Sequence, residues 1–269
     1  MRAHAQDHDN APPIVSKPPA SPAELAQQLA AAHRSTAQIE APTAATMPAD
    51  ADAAYDVQHR TLAILRQPIA GWKVGFRSAD GAIQCAPLRA NRVFSSDVVL
   101  QRSDYAVLAL ELEFAFRFGR VFEPYSGPYS DAVVLDALSA TLATIEVVSS
   151  RYTTWPAVHE FAQLADLLNH GALVFGDAAP YSASLPFAAP ELSFTFNGAS
   201  VVNGPVANPA GDPRRLLGWM VNHCVARGVA IGGDLLVTTG SYTGAHFPGT
   251  AGTAVGQIKG LPPVRVTLA

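Results

Sequence analysis

The stretch Leu108-Ala109-Leu110-Glu111-Leu112-Glu113-Phe114-Ala115-Phe116-Arg117-Phe118 decides how this chain folds, because its apolar residues recur at every second position. In a strand, alternate side chains share a face, so Leu110, Leu112, Phe114, Phe116 and Phe118 point one way and Ala109, Glu111, Glu113, Ala115 and Arg117 the other. The first set is core. The second places two carboxylates side by side, flanked by alanines small enough to leave room for a ligand. Glu146 adds a third carboxylate inside the apolar run Ile145-Glu146-Val147-Val148, where a solitary ionised side chain is costly without a partner. The pattern alone leaves two readings open. Either Glu111 and Glu113 lie on a solvated sheet face and pair with lysines or arginines, or the three glutamates converge on a cation. An all-carboxylate set selects a hard ion, magnesium or manganese, and three ligands leave part of an octahedron open to water and substrate.

Outward from this strand, short strands punctuated by glycine are expected over 72–76 and 93–100. Ser130-Asp131 starts a helix carrying Val133, Val134, Ala137, Leu138 and Leu142, which runs into an apolar strand over 145–148, and a further helix spans 157–168. The segment from Phe194 to Val202 reads as a hairpin, since Asn197-Gly198 supplies the positive φ angles of a type I′ turn. Asp212-Pro213 caps a helix closed by Gly228, and late strands cover 235–239 and 264–268. Upstream, Ser21-Pro22-Ala23-Glu24 is a capping box, and Asp50 opens a second helix through Ala54, Val57, Thr61, Leu62 and Leu65. The expected organisation is a tail over 1–20, a helical region over 21–70 and a metal-binding catalytic body over 71–269. That body is α+β, a mixed, curled sheet with flanking helices. His4 and His8 lie near Asp7 and Asp9 in the tail, whose composition cannot offset the entropy of ordering it.

The 269 residues are 49% hydrophobic and 15% charged, ample for one large core, and the net charge of −4 comes without a basic run, which argues against a nucleic-acid partner. The N-terminus lacks the apolar core of a signal peptide and no stretch reads as a membrane span, so a cytoplasmic protein is expected. Cys85 and Cys224 have no metal or disulfide spacing and read as buried thiols.

With the glutamate trio in place, the chain resembles the fumarylacetoacetate hydrolase superfamily, in the branch of 2-keto-4-pentenoate hydratases and 4-oxalocrotonate decarboxylases. The resemblance runs from about residue 50 to the C-terminus. It is carried by Ala54-Tyr55-Asp56-Val57-Gln58, Gly71-Trp72-Lys73-Val74-Gly75, Glu111-Leu112-Glu113, Ile145-Glu146-Val147-Val148-Ser149-Ser150-Arg151 and Gly233-Asp234-Leu235-Leu236-Val237-Thr238-Thr239-Gly240-Ser241. It implies that Glu111, Glu113 and Glu146 ligate the metal, that Lys73 is the active-site lysine, and that the protein is a β-roll in a dimer or larger homo-oligomer. The residues alone allow Lys73 to be a surface lysine covering Trp72. The chain departs from the family at Leu88-Arg89-Ala90-Asn91, where Pro-Asp-Phe-Gly is common, and at Arg77, where Thr is often found.

The implied activity is metal-dependent hydration of a 2-hydroxy-2,4-dienoate, a lyase reaction of aromatic catabolism. Decarboxylation of a 4-oxalocrotonate type of substrate, hydrolysis of an acylpyruvate and a binding role without turnover are the alternatives. Asp166, in a segment resembling the family's Ala-Asp-Asn region, either orients a metal-bound water or Lys73 or makes a helix-end hydrogen bond. Arg151 either forks onto a substrate carboxylate or pairs with one of the glutamates. Ser241 and Thr243 are the expected substrate contacts; His170 reads as a helix cap, and His246 adjoins the same turn in sequence.

Overall fold

The computed structural model describes residues 18–76, 81–202 and 204–269. Residues 1–17 of the expected tail over 1–20, including His4 and His8, and the position of Arg77 lie outside them. Helix α1 (Pro22–Ala32) starts where Ser21 Oγ accepts from the Glu24 amide at 3.2 Å, and α2 (Ala51–Leu65) where Asp50 accepts from the Ala53 amide. Three short helices follow: α3 (Asp131–Asp136), α4 (Glu160–Ala165) and α5 (Leu217–Ala226).

The strands, in chain order, are β1 (Ile69–Phe76), β2 (Ile83–Arg89), β3 (Val93–Ser95), β4 (Val98–Leu100), β5 (Ala109–Phe118), β6 (Leu138–Val148) and β7 (His170–Phe175). After them come β8 (Ala179–Pro180), β9 (Leu192–Phe196), β10 (Ala199–Ser200), β11 (Leu236–Ser241), β12 (Gly252–Ile258) and β13 (Val264–Leu268). They form two mixed sheets. The larger has the order β2-β1-β11-β5-β6-β7-β3, with β8 against β6; the smaller runs β10-β9-β12-β13-β4. This is the expected α+β architecture. No described helix is long and apolar enough to cross a membrane.

The apolar face of β5 makes the core. Leu110, Leu112, Phe114 and Phe116 are wholly buried, together with Phe194, Ala254, Ile258, Val264 and Val266 of the smaller sheet. Phe114 meets Phe187 and Tyr242 edge-on, with ring centroids 5.0 and 5.3 Å apart.

Three expectations change in the structure. The helix begun at Ser130 ends at Asp136, and Leu138 to Leu142 belong to β6, because β5 offers them a continuous antiparallel ladder from Ala109↔Val148 to Phe118↔Leu138. The expected strand over 93–100 divides at Asp97 (φ 69°), so that β3 joins the larger sheet and β4 the smaller. The helix expected over 157–168 is only α4, followed by Leu167, Leu168 and Asn169, all in the left-handed region. Strand β2 escaped the sequence pattern because Pro87 interrupts it; it is tolerated because β2 is an edge strand. The Asn197-Gly198 turn has its expected positive φ angles, 50° and 79°.

Strand β1 runs parallel to β11 with Gly71 opposite Leu236. A Cβ at Gly71 would stand 2.4 Å from the Leu236 carbonyl oxygen. Gly71→Ala is therefore expected to destabilise the protein by about 1–3 kcal/mol, measured by urea unfolding; an unchanged midpoint would show that the β1–β11 packing is looser than described.

Candidate metal centre

Four adjacent strands build one polar patch on an otherwise apolar sheet. Lys73 comes from β1, Thr238 and Gly240 from β11, Glu111 and Glu113 from β5, and Glu146 from β6. Register places them: Glu111 lies directly opposite Glu146, Glu113 opposite Thr144 on one side and Ser241 on the other, and Lys73 opposite Thr238. Ligand oxygens of the three glutamates all lie within 4.8 Å of one another. Glu113 and Glu146 are buried and Glu111 is half-buried. The solvated-face reading of the alternation is thus excluded by where the strand sits.

The surroundings hold these side chains in place. One Glu113 oxygen accepts from Thr238 Oγ1 and, at 2.9 Å, from the Gly240 amide. Lys73 Nζ donates to Glu146 Oε1 and, at 3.0 Å, to the Leu168 carbonyl in the left-handed turn after α4. Burial pushes the Glu111 carboxyl up to about 7, with the Glu146 charge adding to it. Glu113 rises to about 8 through burial and the repulsion of Glu146 and Glu111. For Lys73, burial alone would lower the ammonium, but the charges of Glu146, Glu113 and Glu111 outweigh it and hold its pKa above the ordinary lysine value. A lowered pKa, which desolvation near a metal could give this lysine, is not found with the glutamates uncompensated.

With all three carboxylates ionised, the single ammonium leaves two negative charges uncompensated in a poorly solvated place, which is why Glu111 and Glu113 hold their protons so high. A divalent cation matches that deficit, and an all-oxygen donor set matches a hard one. The residues present fit such an ion.

The trio and Lys73 line a cavity of about 250 Å³ whose other walls include Gln84, Glu160, Gln163, Asn208, Gly240 and Ser241, with Phe76, Leu168 and Pro209 as apolar contacts. Ser241 thus faces the cavity as expected. Thr243 does not: its hydroxyl accepts from the Leu112 amide and donates to the Gly244 carbonyl. Asp166 and Arg151 are brought together, but not at the cavity. The Arg151 Nε donates to Asp166 Oδ1 at 2.6 Å, its amide donates to Oδ2 at 3.0 Å, and its Nη1 donates to the His170 carbonyl. Arg151 therefore pairs with a carboxylate, although not one of the glutamates. Asp166 ties the end of α4 to the segment after β6, and reaches neither Lys73 nor the trio. His170 is buried at the start of β7, and its amide caps the turn 167–169. His246 pairs its backbone with Leu110. Neither histidine lines the cavity.

Sequence reasoning missed Gln84, Gln163 and Asn208. Asn208 had a signal, the Asn208-Pro209 dipeptide: its Nδ2 donates to the Thr239 and Gly240 carbonyls, bracing the turn that presents Gly240. The two glutamines left none: β2 was not read as a strand, and the helix expected over 157–168, though it contains Gln163, does not say which of its residues faces a cavity. The divergent Leu88 to Asn91 stretch proves remote from this chemistry. Leu88 packs with Ala115, Leu142, Leu173 and Leu236, and none of the four residues lines the cavity.

No family model matches the chain. A 2-keto-4-pentenoate hydratase of Burkholderia vietnamiensis (strain G4 / LMG 22486) is 28% identical over 135 residues, which is 49% of this chain and 51% of that protein. The match thus spans about half the length of the hydratase. Among solved structures, 4-oxalocrotonate decarboxylase from Pseudomonas putida G7, complexed with magnesium and adipate, superposes with a TM-score of 0.78 at 19% identity, over 92% of this chain and 97% of its own. Fumarylpyruvate hydrolase from Pseudomonas aeruginosa, in complex with Mn2+ and pyruvate, gives a TM-score of 0.54 at 13% identity over 76% and 91%. These relatives are enzymes acting on small molecules.

The raised carboxyls have a measurable consequence. Folded Glu111 and Glu113 retain protons that the unfolded chain, near its ordinary 4.5, has released. The contribution of these two carboxyls to the stability of the metal-free protein therefore falls as pH rises from about 4.5 through about 8, against the buried histidines, whose lowered pKa values make their own contribution rise with pH. In chelator, replacing the ionisable group by Glu113→Gln is therefore expected to raise the thermal midpoint more at about pH 8.5 than at about pH 6, and saturating magnesium should stabilise the wild type more at the higher pH, because the ion binds deprotonated carboxylates. A Glu113→Gln effect of the same size at both pH values would show that the carboxyl is not strained.

Proposed function

We propose that this chain, which has the fold of the fumarylacetoacetate hydrolase superfamily and whose sequence match supports the hydratase and decarboxylase branch, is a divalent-metal-dependent hydratase of a 2-hydroxy-2,4-dienoate. The observation that carries the reading is the convergence of Glu111, Glu113 and Glu146 beside a charged Lys73, with a net deficit of two positive charges, in a cavity sized for a small acid.

Glu111, Glu113 and Glu146 would hold magnesium or manganese. Bound there, the ion supplies Lewis acidity to the carboxylate and 2-oxygen of the substrate. The chain's own groups do the rest. Gly240 N–H and the Thr238 hydroxyl fix Glu113 and keep the ligand set from rotating away. Lys73 Nζ, anchored by the Leu168 carbonyl, would hold a fixed ammonium beside the substrate, a donor to its developing negative charge. In hydration the substrate loses its enol proton and gains one at C5, after which water adds across C3 and C4, hydroxyl to C4 and proton to C3. Gln84, Gln163 and Asn208 are neutral hydrogen-bonding groups available to orient the tail of the substrate and the attacking water. Decarboxylation is the competing reaction, since one electron sink serves both. Hydrolysis of an acylpyruvate is disfavoured, because no histidine lines the cavity among the described residues to activate water for C–C cleavage. The reading carries with it a homo-oligomeric enzyme of aromatic catabolism.

The test is turnover of 2-hydroxypenta-2,4-dienoate by the magnesium-loaded protein, followed by loss of ultraviolet absorbance, beside 2-oxo-3-hexenedioate followed by carbon dioxide release. Hydration of the first without carbon dioxide from the second is expected, and Glu113→Ala should lower kcat/KM by at least about a hundredfold. Carbon dioxide release would replace the hydratase reading with the decarboxylase one.

A further inference from the structure

A second cavity lies away from the glutamates, where the end of α1, the end of β2 and the segment after β6 meet. Its walls include His33, Arg89, Arg92, Tyr105, Ser150 and Arg151. Arg89 is only 3% exposed, and its Nε has no hydrogen-bond partner. Its sole described hydrogen bond is a long one, 3.5 Å, from Nη1 to the His33 carbonyl.

Charge does not balance there. The neighbouring carboxylate, Asp166, is committed to Arg151, which takes both of its oxygens, one through Nε and the other through the backbone amide. Arg92 pairs loosely with the half-exposed Asp104 at 3.8 Å and contacts Tyr105. Arg89 makes no ion pair among the described residues. The buried set Arg89, Arg151 and Asp166 therefore carries one uncompensated positive charge, which a protein interior does not hold cheaply. Burial and the nearby Arg151 and Arg92 charges depress the Arg89 guanidinium to about 9.

Hydrogen bonding does not balance either. His33 Nδ1 and both ring nitrogens of the adjacent, wholly buried His170 are unpartnered, and His33 Nε2, although 3.2 Å from Asp166 Oδ1, is out of line for a hydrogen bond. Burial and the arginines keep both rings neutral. A neutral imidazole carries one N–H and one acceptor nitrogen, so His33 can turn a donor to this cavity without adding charge, while His170 lies behind its lining. The one carboxylate on the cavity wall, Asp104, is half-exposed and paired with Arg92, so the free N–H groups of buried Arg89 and its unmatched charge favour an anion here.

We propose that this cavity binds a small inorganic anion of chloride size, held chiefly by the Arg89 guanidinium. The space open to a water-sized sphere is about 20 Å³, the scale of one small monatomic ion. The occupant would tie the α1 end, through His33, to β2 and to the Ser150-Arg151 segment, fastening the N-terminal helices to the sheet. This site is independent of the metal centre and of the reaction proposed for it.

The test is thermal unfolding of the full chain while sodium gluconate is replaced by sodium chloride at constant ionic strength. A saturable rise in Tm with chloride is expected, and Arg89→Met should abolish it. An equal response in both proteins, or none in the wild type, would overturn the proposal. Crystals soaked in bromide decide the matter even where the variant fails to fold: an anomalous peak beside Arg89 is expected, and a cavity holding only water, or an acidic side chain of a second copy, would refute it.

Discussion

The structure turns on a cross-strand pair that a sheet should avoid, Glu111 directly opposite Glu146 on β5 and β6, with Glu113 one pleat further on. Like charges facing each other across a ladder repel, and here water is too scarce to screen them. The apolar face of the same strand leaves no freedom to relieve this. Slipping β5 by one residue would turn Leu112 and Phe114 out of the core and the glutamates into it. The core therefore enforces the register, and the register enforces the carboxylate cluster. Lys73 from β1 neutralises it in part, and the proposed divalent ion would complete the balance.

That constraint explains the elements around it. Strand β11 sits between β1 and β5, so it supplies Thr238 and Gly240 at the distance where they clamp Glu113. The left-handed turn at Leu167 to Asn169 brings the Leu168 carbonyl to Lys73. Asp166, at the head of that turn, is locked by Arg151, and neither residue lines the cavity. The pair pins the backbone between α4 and β7 from which the Leu168 carbonyl reaches Lys73.

How much of this was legible in sequence follows from what sequence periodicity can report. Period-two alternation in β5 exposed the glutamate pair directly, and the apolar setting of Glu146 flagged the third member. Cavity walls contributed by a short helix and an edge strand left no such trace. Gln163 stands on α4 and Gln84 on β2, elements whose packing against the glutamate strands no local periodicity reports. The helical reading of Leu138 and Leu142 failed because a partner strand outbid local periodicity. Arg151 was placed among substrate contacts, or beside the glutamates, because its real partner, Asp166, is 15 residues away through a turn no pattern announces. At Leu88 to Asn91 the chain departs from the pattern of the family it resembles. In space this stretch supplies a core leucine and the buried Arg89 of the second cavity.

The central claim is that the cluster exists to hold one divalent ion. Anomalous diffraction from crystals equilibrated with manganese tests it most directly. The account requires a single strong peak per chain, within coordination distance of oxygens from Glu111, Glu113 and Glu146. A map with no peak there, or with manganese bound elsewhere while the three carboxylates are balanced by other cationic side chains, would contradict it.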